Sequence, residues 1–293
     1  MRLGFIGFGV MGVPMARNLA RNFPLTVWNR SPSKHALLKE TGAQFAISET
    51  PAKVIAQSDI TFVMLFNASA IESILAPDFF HALRDKTLVN SSSIPVEFNE
   101  ALAWRVRVAG GDFLEMPVSG SRVPAEQGQL VGLMAGDSQV ADRIRPFVRP
   151  LTRSAVYCGP IGSGLKAKYA VNTLLITLTV GLSESVNLAR AQDLDLKAFE
   201  QVLEACPMAS AYSKLKAAKV RDEDWSAQAS LKDCYNSTQL IESAAAAAGT
   251  RSPLMQLCGK LYKEAIETGL GEEDMISIAK TVGKKAGHRL DTR

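Results

Sequence analysis

Three glycines near the start of the chain, Gly7, Gly9 and Gly12, have the spacing G-x-G-x-x-G that can hold a diphosphate. They follow the apolar run RLGFIG and lead into a helical pattern over residues 14–21. In such a turn the glycines permit a tight bend, admit a pyrophosphate and let the helix pack on the strand. The helix N-terminus adds free N–H groups and a positive dipole end. A glycine-rich turn without a ligand is the alternative. The motif predicts a dinucleotide site formed by Gly7, Phe8, Gly9, Val10, Met11 and Gly12.

The end of the second predicted strand indicates which dinucleotide binds. In NAD sites this strand usually ends in Asp or Glu, which hydrogen-bonds the ribose hydroxyl. Here the run LTVWN ends in Asn29 and is followed by Arg30 and Ser31. A guanidinium offers a planar fork of donors to a 2′-phosphate, whereas a carboxylate would repel that phosphate. We therefore expect NADP as the cofactor, with NADPH preferred over NADH. The alternative is that Arg30 is a solvated surface charge.

Other residue types that carry chemistry are sparse. The four cysteines include no CxxC pair, so we expect free and mostly buried thiols. The three histidines, His35, His81 and His288, lie in no recognisable motif. A histidine-ligated metal and a Ser-His-Asp triad therefore have little support, and no metal site is predicted.

The elements that must position these residues change in character along the chain. Up to about residue 160, short apolar runs alternate with helical patterns, for example over residues 95–109. This alternation predicts an α/β domain with a doubly wound parallel sheet of the Rossmann type, over residues 1–162. The stretch GQLVGLMAGD predicts an antiparallel extension of that sheet. The predicted strands are RLGFIG, LTVWN, ITFVMLF, TLVNSSS, FLEMPVS and AVYCG.

After Gly164 the pattern becomes helical. The segment LKAKYAVNTLLITLTVGLSESVNLARAQ predicts one long helix whose apolar residues surround much of its circumference. We therefore expect an all-α domain over residues 163–293, with a hinge near residues 159–164. Such a helix is buried in its own domain or in a subunit interface, so a homo-oligomer, either a dimer or a tetramer, is expected. A glycine C-cap at Gly249 and a new helix at Pro253 are also predicted.

Composition excludes several classes of function. Hydrophobic residues make up 47% of the 293 residues and charged residues 21%, which is typical of a globular protein. The net charge is only +4 and the sequence contains no basic stripe, so no nucleic acid partner is expected. No uncharged apolar run reaches the roughly 20 residues of a membrane span. The first strand begins almost at once without a signal series, so we expect a cytoplasmic protein with no membrane partner.

Four segments spread over almost the whole chain carry further motifs. GFIGFGVMGVPMARNL is similar to a cofactor signature, EMPVSGSRVPAEQGQL to a substrate loop, GPIGSGLKAKYAVN to a catalytic helix, and SLKDC to a late Lys-Asp motif. Together and in this order they resemble the β-hydroxyacid dehydrogenase family, relatives of 6-phosphogluconate dehydrogenase. The pairing of WNRS with PVSGSRVPAEQGQL is most similar to the glyoxylate and succinic semialdehyde reductase branch.

The resemblance implies a single lysine as the proton donor. Lys168 matches it and Lys166 does not, because the family's asparagine follows its lysine by four residues, as Asn172 does here. Residues with this spacing share one face of a helix. In the reductive direction, Lys168 would stabilise and protonate the alkoxide that forms when hydride reaches an aldehyde carbon. An ordinary surface lysine on an amphipathic helix is the alternative.

The resemblance also implies binding residues. Ser119, Gly120 and Ser121 would hold a substrate carboxylate through converging backbone N–H groups, the alternative being a simple tight turn. Lys232 resembles a lysine that reaches the cofactor, oriented by Asp233, and a surface ion pair is the alternative. The remaining cofactor contacts implied are Leu65, Phe66 and Ser93.

The sequence departs from the family pattern at several positions. Leu65-Phe66 stands for the usual Leu-Pro pair, Val171-Asn172 for the usual double Asn and Asn90 for a common Asp, and these three are compatible with the chemistry. DCYNS replaces a more aliphatic run after Lys232, near the expected active site, and leaves the choice of substrate open. The prediction is an NADPH-dependent reductase of small carboxyl-bearing aldehydes such as glyoxylate, succinic semialdehyde or tartronate semialdehyde, reversible as a 3-hydroxyacid dehydrogenase. Alternatives are an imine reductase-like enzyme, a class that usually lacks the lysine, and a non-catalytic NADP-binding protein.

Overall fold

A computed structural model describes residues 1–39 and 45–283 of the chain. These residues form two compact units, which divide between Lys168 and Tyr169, inside one long helix. His288, one of the three histidines considered above, lies outside the described residues.

The strands of the first unit coincide with the predicted apolar runs. Among the described residues, one short strand, Phe45–Ile47, was not predicted. Two of its three residues are exposed, so the sequence contains no buried apolar run at this place. The strands are β1 (Leu3–Ile6), β2 (Leu25–Trp28), β3 (Phe45–Ile47), β4 (Ile60–Val63), β5 (Thr87–Asn90), β6 (Asp112–Glu115), β7 (Val118–Ser119), β8 (Leu130–Gly136) and β9 (Thr152–Gly159).

Helices connect these strands. The helices of this unit are α1 (Gly12–Ala20), α2 (Ala36–Lys39), α3 (Pro51–Gln57), α4 (Ala68–Glu72), α5 (Pro77–His81), α6 (Val96–Val108), α7 (Arg122–Glu126) and α8 (Ser138–Val148). The first turn of α9 (Ser163–Ala191) also belongs to it. Two of the helices begin at proline, which is suited to a first helical position because it lacks an N–H that would need a partner there.

The sheet has the strand order β3-β2-β1-β4-β5-β6-β8-β7, and β9 pairs with β8. The first six strands in this order are parallel. Their order reverses between β1 and β4, and a dinucleotide binds outside the carboxyl ends of strands at such a switch point. Buried side chains from β1, β2, β4 and β8 form one core with α1 and α8. The doubly wound parallel sheet is therefore confirmed.

The antiparallel extension predicted from GQLVGLMAGD is strand β8. It pairs antiparallel with β6 and with β7 in one unbroken register, Leu114 opposite Gly136 and Ser119 opposite Val131. A further backbone bond, from the Leu133 N–H to the Pro117 carbonyl, closes the gap between the two short strands. The segment that carries Ser119 is thus fixed by β8, because a register shift would turn every side chain to the opposite face.

The second unit is helical, as predicted. It contains the rest of α9 and the helices α10 (Leu196–Ala205), α11 (Ala211–Arg221), α12 (Leu231–Ala247), α13 (Pro253–Ala265) and α14 (Ile278–Val282). Gly249 follows the end of α12 with φ of +66°, a left-handed conformation that favours glycine, and Pro253 begins α13. Side chains of α9, α11 and α14 form a small core that includes Val186, Val220 and Ala279.

A buried ion pair joins α11 to the segment between α13 and α14. The ammonium of Lys216 on α11 donates to Asp274 at 2.6 Å, and both side chains are almost inaccessible to solvent. The same carboxylate accepts backbone N–H groups from Gln228 and Ile276. Burial lowers the pKa of Lys216, and the charge of Asp274 opposes that shift. Removing one partner would leave the other charge buried and unpaired.

Helix α9 also meets a membrane criterion. Among the described residues it is the one helix long and apolar enough to cross a bilayer, and part of its most apolar stretch is buried. The core helix of a protein without a membrane passes the same test. The absence of a membrane partner therefore stays a prediction.

Candidate active site

The turn after β1 has the geometry of a phosphate cradle. Gly7 has φ of +107°, and a Cβ placed on it would lie 2.2 Å from the Met64 carbonyl oxygen. A Cβ on Gly12 would lie 2.0 Å from the Gly7 carbonyl oxygen, so both positions require glycine. Gly9 differs, because a Cβ there would meet no protein atom within 4 Å. The open space beside the Gly9 backbone fits the approach of a pyrophosphate.

Helix α1 presents its N-terminus to this space. Its N-cap is Met11, with no side-chain hydrogen bond to the cap, and its first turn contains no acidic residue. An uncapped helix N-terminus has N–H groups and a positive dipole end for an anion. Phe8 is buried and packs edge-on against His35, so it contributes backbone to the turn, whereas Val10 is exposed. The residues of the turn therefore fit a bound dinucleotide.

The segment after β2 is tied directly to this turn. The Phe8 N–H donates to the side-chain oxygen of Asn29 at 2.8 Å, and the Asn29 amide donates to the Ser31 carbonyl at 3.0 Å. The two polar ends of Asn29 thus shape the loop. Arg30 is exposed beside it and its guanidinium can meet a phosphate group on the adenosine side.

The predicted contacts on the nicotinamide side follow β4 and β5. The Leu65 N–H donates to the Ser92 hydroxyl at 3.0 Å, which joins the ends of these two neighbouring strands. Phe66 is 57% exposed and Ser93 is half-buried. Because Gly7 lies against the Met64 carbonyl, these residues border the phosphate turn.

The predicted substrate loop begins where β7 ends. Gly120 has φ of +129°, and a Cβ there would lie 2.7 Å from the Leu130 side chain, so a larger residue would strain the loop. Ser119 is held in register by β8. Ser121 is the N-cap of α7, but its hydroxyl makes no hydrogen bond to the first turn of that helix.

The structure brings Lys168 to this loop. Its ammonium donates a hydrogen bond to the Val118 carbonyl oxygen at 2.6 Å, one residue before Ser119. Lys168 is half-buried, whereas Lys166 is exposed on another face of the helix. Asn172 follows one turn later on α9 and is half-buried. These positions agree with the choice of Lys168 over Lys166.

Beneath the loop lies a carboxylate that the sequence reasoning missed. Glu115, at the end of β6, is fully buried and accepts N–H groups from Gly162 at 2.6 Å and Leu165 at 2.5 Å, at the start of α9. The amide of Asn99 on α6 donates to it at 2.7 Å. Burial raises the pKa of Glu115, and these hydrogen bonds oppose the shift. The only sequence signal is a charged residue at the end of the apolar run FLE.

The late Lys-Asp motif has other partners in the second unit. Lys232 forms an ion pair with Glu272, which corresponds to the alternative considered for it. Asp233 accepts both the N–H and the hydroxyl of Ser230, at 3.0 and 2.8 Å, and so completes a capping box at the start of α12. The role expected for Asp233 in orienting Lys232 therefore has no contact that supports it among the described residues.

The thiols are free. Cys234 and Cys258 are buried, as expected, but Cys158 and Cys206 are only half-buried, so the expectation of mostly buried thiols holds for two of the four. Burial raises the pKa of Cys158, Cys234 and Cys258, which disfavours the reactive thiolate.

Comparison with known proteins assigns the chain. Residues 2–159 match the family described as the NAD binding domain of 6-phosphogluconate dehydrogenase, and residues 162–282 match the NAD-binding domain of NADP-dependent 3-hydroxyisobutyrate dehydrogenase. The chain belongs to the β-hydroxyacid dehydrogenase family. It is an NAD(P)-dependent oxidoreductase of that family, and the phosphate turn described above fits the nicotinamide dinucleotide.

Individual relatives extend over nearly the whole chain. Glyoxylate/succinic semialdehyde reductase 2 of Arabidopsis thaliana is 31% identical over 94% of this chain and 78% of its own length. The 2-hydroxy-3-oxopropionate reductase of Escherichia coli is 29% identical over 99% of this chain and 100% of its own length. The solved structure of Psf3 in complex with NADP+ and 2-OPP is similar in fold, with a TM-score of 0.87, 24% identity and coverage of 96% and 99% of the two chains.

Proposed function

We propose that this β-hydroxyacid dehydrogenase reduces small carboxyl-bearing aldehydes with NADPH and catalyses the reverse oxidation of the hydroxy acids. The observation that carries the proposal is the hydrogen bond from the Lys168 ammonium to the Val118 carbonyl, beside Ser119. It puts a cationic proton donor next to a loop suited to a carboxylate. The two curated relatives are named for glyoxylate, succinic semialdehyde and 2-hydroxy-3-oxopropionate, each of which combines an aldehyde with a carboxylate.

The residues of the chain would divide the work as follows. The bound nicotinamide supplies the hydride for the aldehyde carbon. The backbone N–H groups and hydroxyls of residues 119–121 hold the carboxylate and so orient the aldehyde. Lys168, one of whose three N–H donors is fixed by Val118, stabilises the developing alkoxide and transfers a proton to it. Asn172 lies one turn away on α9 and hydrogen-bonds the same end of the substrate.

The preference for NADPH is part of the proposal. Arg30 supports it, because the side chain is exposed next to a turn that Asn29 fixes to the phosphate cradle. No residue of the Asn-Arg-Ser sequence after β2 is acidic, so nothing there repels a 2′-phosphate.

The test is consumption of NADPH and of NADH with a panel of aldehydes. Glyoxylate, succinic semialdehyde and tartronate semialdehyde should be reduced, and the matching aldehydes without a carboxylate should react much more slowly. Reduction of cyclic imines but not of these aldehydes would favour the imine reductase alternative. Tight NADPH binding with no consumption on any of these compounds would favour a non-catalytic protein.

A further inference from the structure

A chain of buried hydrogen bonds joins the nicotinamide-side loop to the catalytic helix. The Leu65 N–H donates to the Ser92 hydroxyl, and the Ser92 N–H donates to the side-chain oxygen of Asn90 at 3.1 Å. The Asn90 amide donates to the Asn99 oxygen at 2.8 Å, and the Asn99 amide donates to Glu115 at 2.7 Å. Asn90, Asn99 and Glu115 are all buried and all lie in the first unit.

The chain has a fixed direction. Each carboxamide accepts on one side and donates on the other, and every donor points toward Glu115. The Glu115 carboxylate ends the chain because it can only accept hydrogen bonds. One of its oxygens accepts the Asn99 amide and the Gly162 N–H, and the other accepts the Leu165 N–H. An aspartate at position 90 would have no N–H for the Asn99 oxygen. Asn90 and Glu115 therefore form a matched pair.

Glu115 fixes the start of helix α9. The bonds to Gly162 and Leu165 hold the first turn, and Lys168 follows Leu165 by three residues, close to one turn of helix. The contact is tight, since a Cβ on Gly164 would lie 2.5 Å from the Leu133 carbonyl and 2.8 Å from Glu115. A carboxylate at a helix N-terminus is also favoured by the helix dipole.

We propose that Asn90, Asn99 and Glu115 are positioning residues that keep Lys168 and the loop at Leu65 in one fixed arrangement for hydride and proton transfer. This inference rests on the proposed function. None of the three side chains touches the reacting atoms. They act through the first turn of α9 at one end and through Ser92 and Leu65 at the other.

The first test is Glu115→Gln. Glutamine keeps one acceptor oxygen, so whichever way it turns its NH2 group faces either the Asn99 and Gly162 donors or the Leu165 N–H, and at least one hydrogen bond is lost. Turnover per folded molecule should fall about 10- to 100-fold, the scale expected when catalytic groups are displaced by a fraction of an ångström to an ångström. The Kd for NADPH should stay within about twofold, because Glu115 lies at the opposite end of this chain from Leu65 and its partners Asn99, Gly162 and Leu165 are not residues of the phosphate cradle. A wild-type kcat in folded Glu115→Gln protein would overturn the inference.

The second test reverses the chain. In the double variant Asn90→Asp/Glu115→Gln, the side-chain amide of Asn99 can rotate by 180°. Its NH2 group then donates to the carboxylate introduced at position 90, and its oxygen accepts from the NH2 group introduced at position 115. Of the hydrogen bonds described above, only that of the Gly162 N–H is then lost. Each single variant should be slow, and the double variant should recover at least about fivefold in kcat over Glu115→Gln, although not the whole wild-type rate. If the fold-loss of kcat in the double variant equals the product of the losses in the two single variants, the direction of the hydrogen-bond chain does not matter, and the proposal is overturned.

Two further variants separate positioning from stability. Asn99→Ala breaks the chain in the middle but leaves Glu115 on α9; it should also lower kcat, and an unchanged kcat would contradict the inference even if Glu115→Gln does not fold. Asp137→Ala is the control for stability, because Asp137 accepts the Gln139 and Val140 N–H groups at the start of α8, which carries no predicted site residue. It should lower Tm while kcat is retained. A wild type that reduces none of the aldehydes would instead refute the proposed function.

Discussion

At the scale of single residues, the proposed preference for NADPH can be tested at Arg30. Its guanidinium is exposed after β2, where a 2′-phosphate would approach. Arg30→Ala should weaken NADPH binding by about 1.5–3 kcal/mol, the value of a charge-assisted contact, and leave NADH binding nearly unchanged. The measurement is the Kd of each cofactor by titration. Arg153→Ala, an exposed arginine on β9, serves as control, and equal losses for both cofactors in Arg30→Ala would contradict the assignment.

If Lys168 is the proton donor that we propose, its removal should affect turnover and not cofactor affinity. Lys168→Ala removes the donor aimed at the alkoxide, so kcat should fall by roughly 10²–10⁴ while NADPH binds normally. Lys166→Ala is the matched control, because that exposed lysine lies two residues away, about 200° around the helix. Single-turnover rates for both variants test this. Loss of activity in Lys166→Ala alone would mean that the catalytic register has been assigned to the wrong lysine.

Glu115 gives the stability of the protein a pH dependence of definite sign. Its folded-state pKa is raised above the ordinary value of 4.5, chiefly by burial, so the folded state holds this proton more tightly than the unfolded chain does. Its contribution to the free energy of unfolding should therefore decrease as pH rises from about 4.5 through the raised pKa, by at most about 1.4 kcal/mol per pH unit. Denaturant titrations of wild type and Glu115→Gln across this range measure the difference, and a difference that grows with pH would reverse the sign.

The residues that the sequence predicted and those it missed differ in a physical way. The phosphate turn is a motif of short range, which its spacing together with the flanking strand and helix predicts, and the Lys168–Asn172 pair follows from the resemblance of a short segment to the family pattern. Asn90, Asn99 and Glu115 lie on β5, α6 and β6, and Glu115 accepts the N–H of Gly162, which is 47 residues later in the chain. Contacts of that kind depend on how the sheet folds and leave no periodic signal in the sequence.

At the scale of elements, the phosphate turn contains one glycine, Gly12, that the protein backbone itself requires, and another, Gly9, that faces open space. Gly12→Ala should destabilise the protein by about 1–3 kcal/mol, because the added Cβ would clash with the Gly7 carbonyl. Gly9→Ala should fold with unchanged stability, since its Cβ meets no protein atom, yet bind NADPH at least about tenfold more weakly. Thermal unfolding together with cofactor titration distinguishes the two. Normal NADPH affinity in Gly9→Ala would show that the pyrophosphate lies elsewhere.

Elements with many buried residues were predictable, and those without were not. Strands β1, β4 and β5 are buried at every position and were evident as apolar runs, and the long helix α9 agrees closely with its predicted limits. Strand β3 was missed because pairing with β2 is what defines it, not apolar content. The pairing of β7 with β8 could not be predicted either, since two residues are too few for a pattern.

At the scale of the whole molecule, the exposed apolar side chains of the second unit favour self-association. They include Leu174, which is 70% exposed, and Val171 and Leu188 on the same helix. We expect a homodimer or a larger symmetric assembly in which this apolar surface is covered. Light scattering at micromolar concentration measures the mass directly. Leu174→Glu should weaken the assembly, and a wild type that is monomeric under these conditions would contradict the expectation.

The long helix α9 carries Lys168 in one compact unit and continues through the other, so the two units are not joined by a spacer. Exchange of substrate-recognition parts between relatives by recombination would therefore have to occur within a helix. A single residue inserted after Tyr169 would rotate Asn172, and everything that follows it on α9, by about 100° relative to Lys168. Chimaeric enzymes of this family should thus tolerate crossovers in α9 only when the residue count is conserved, whereas the loop between Gly249 and Pro253 should accept changes in length.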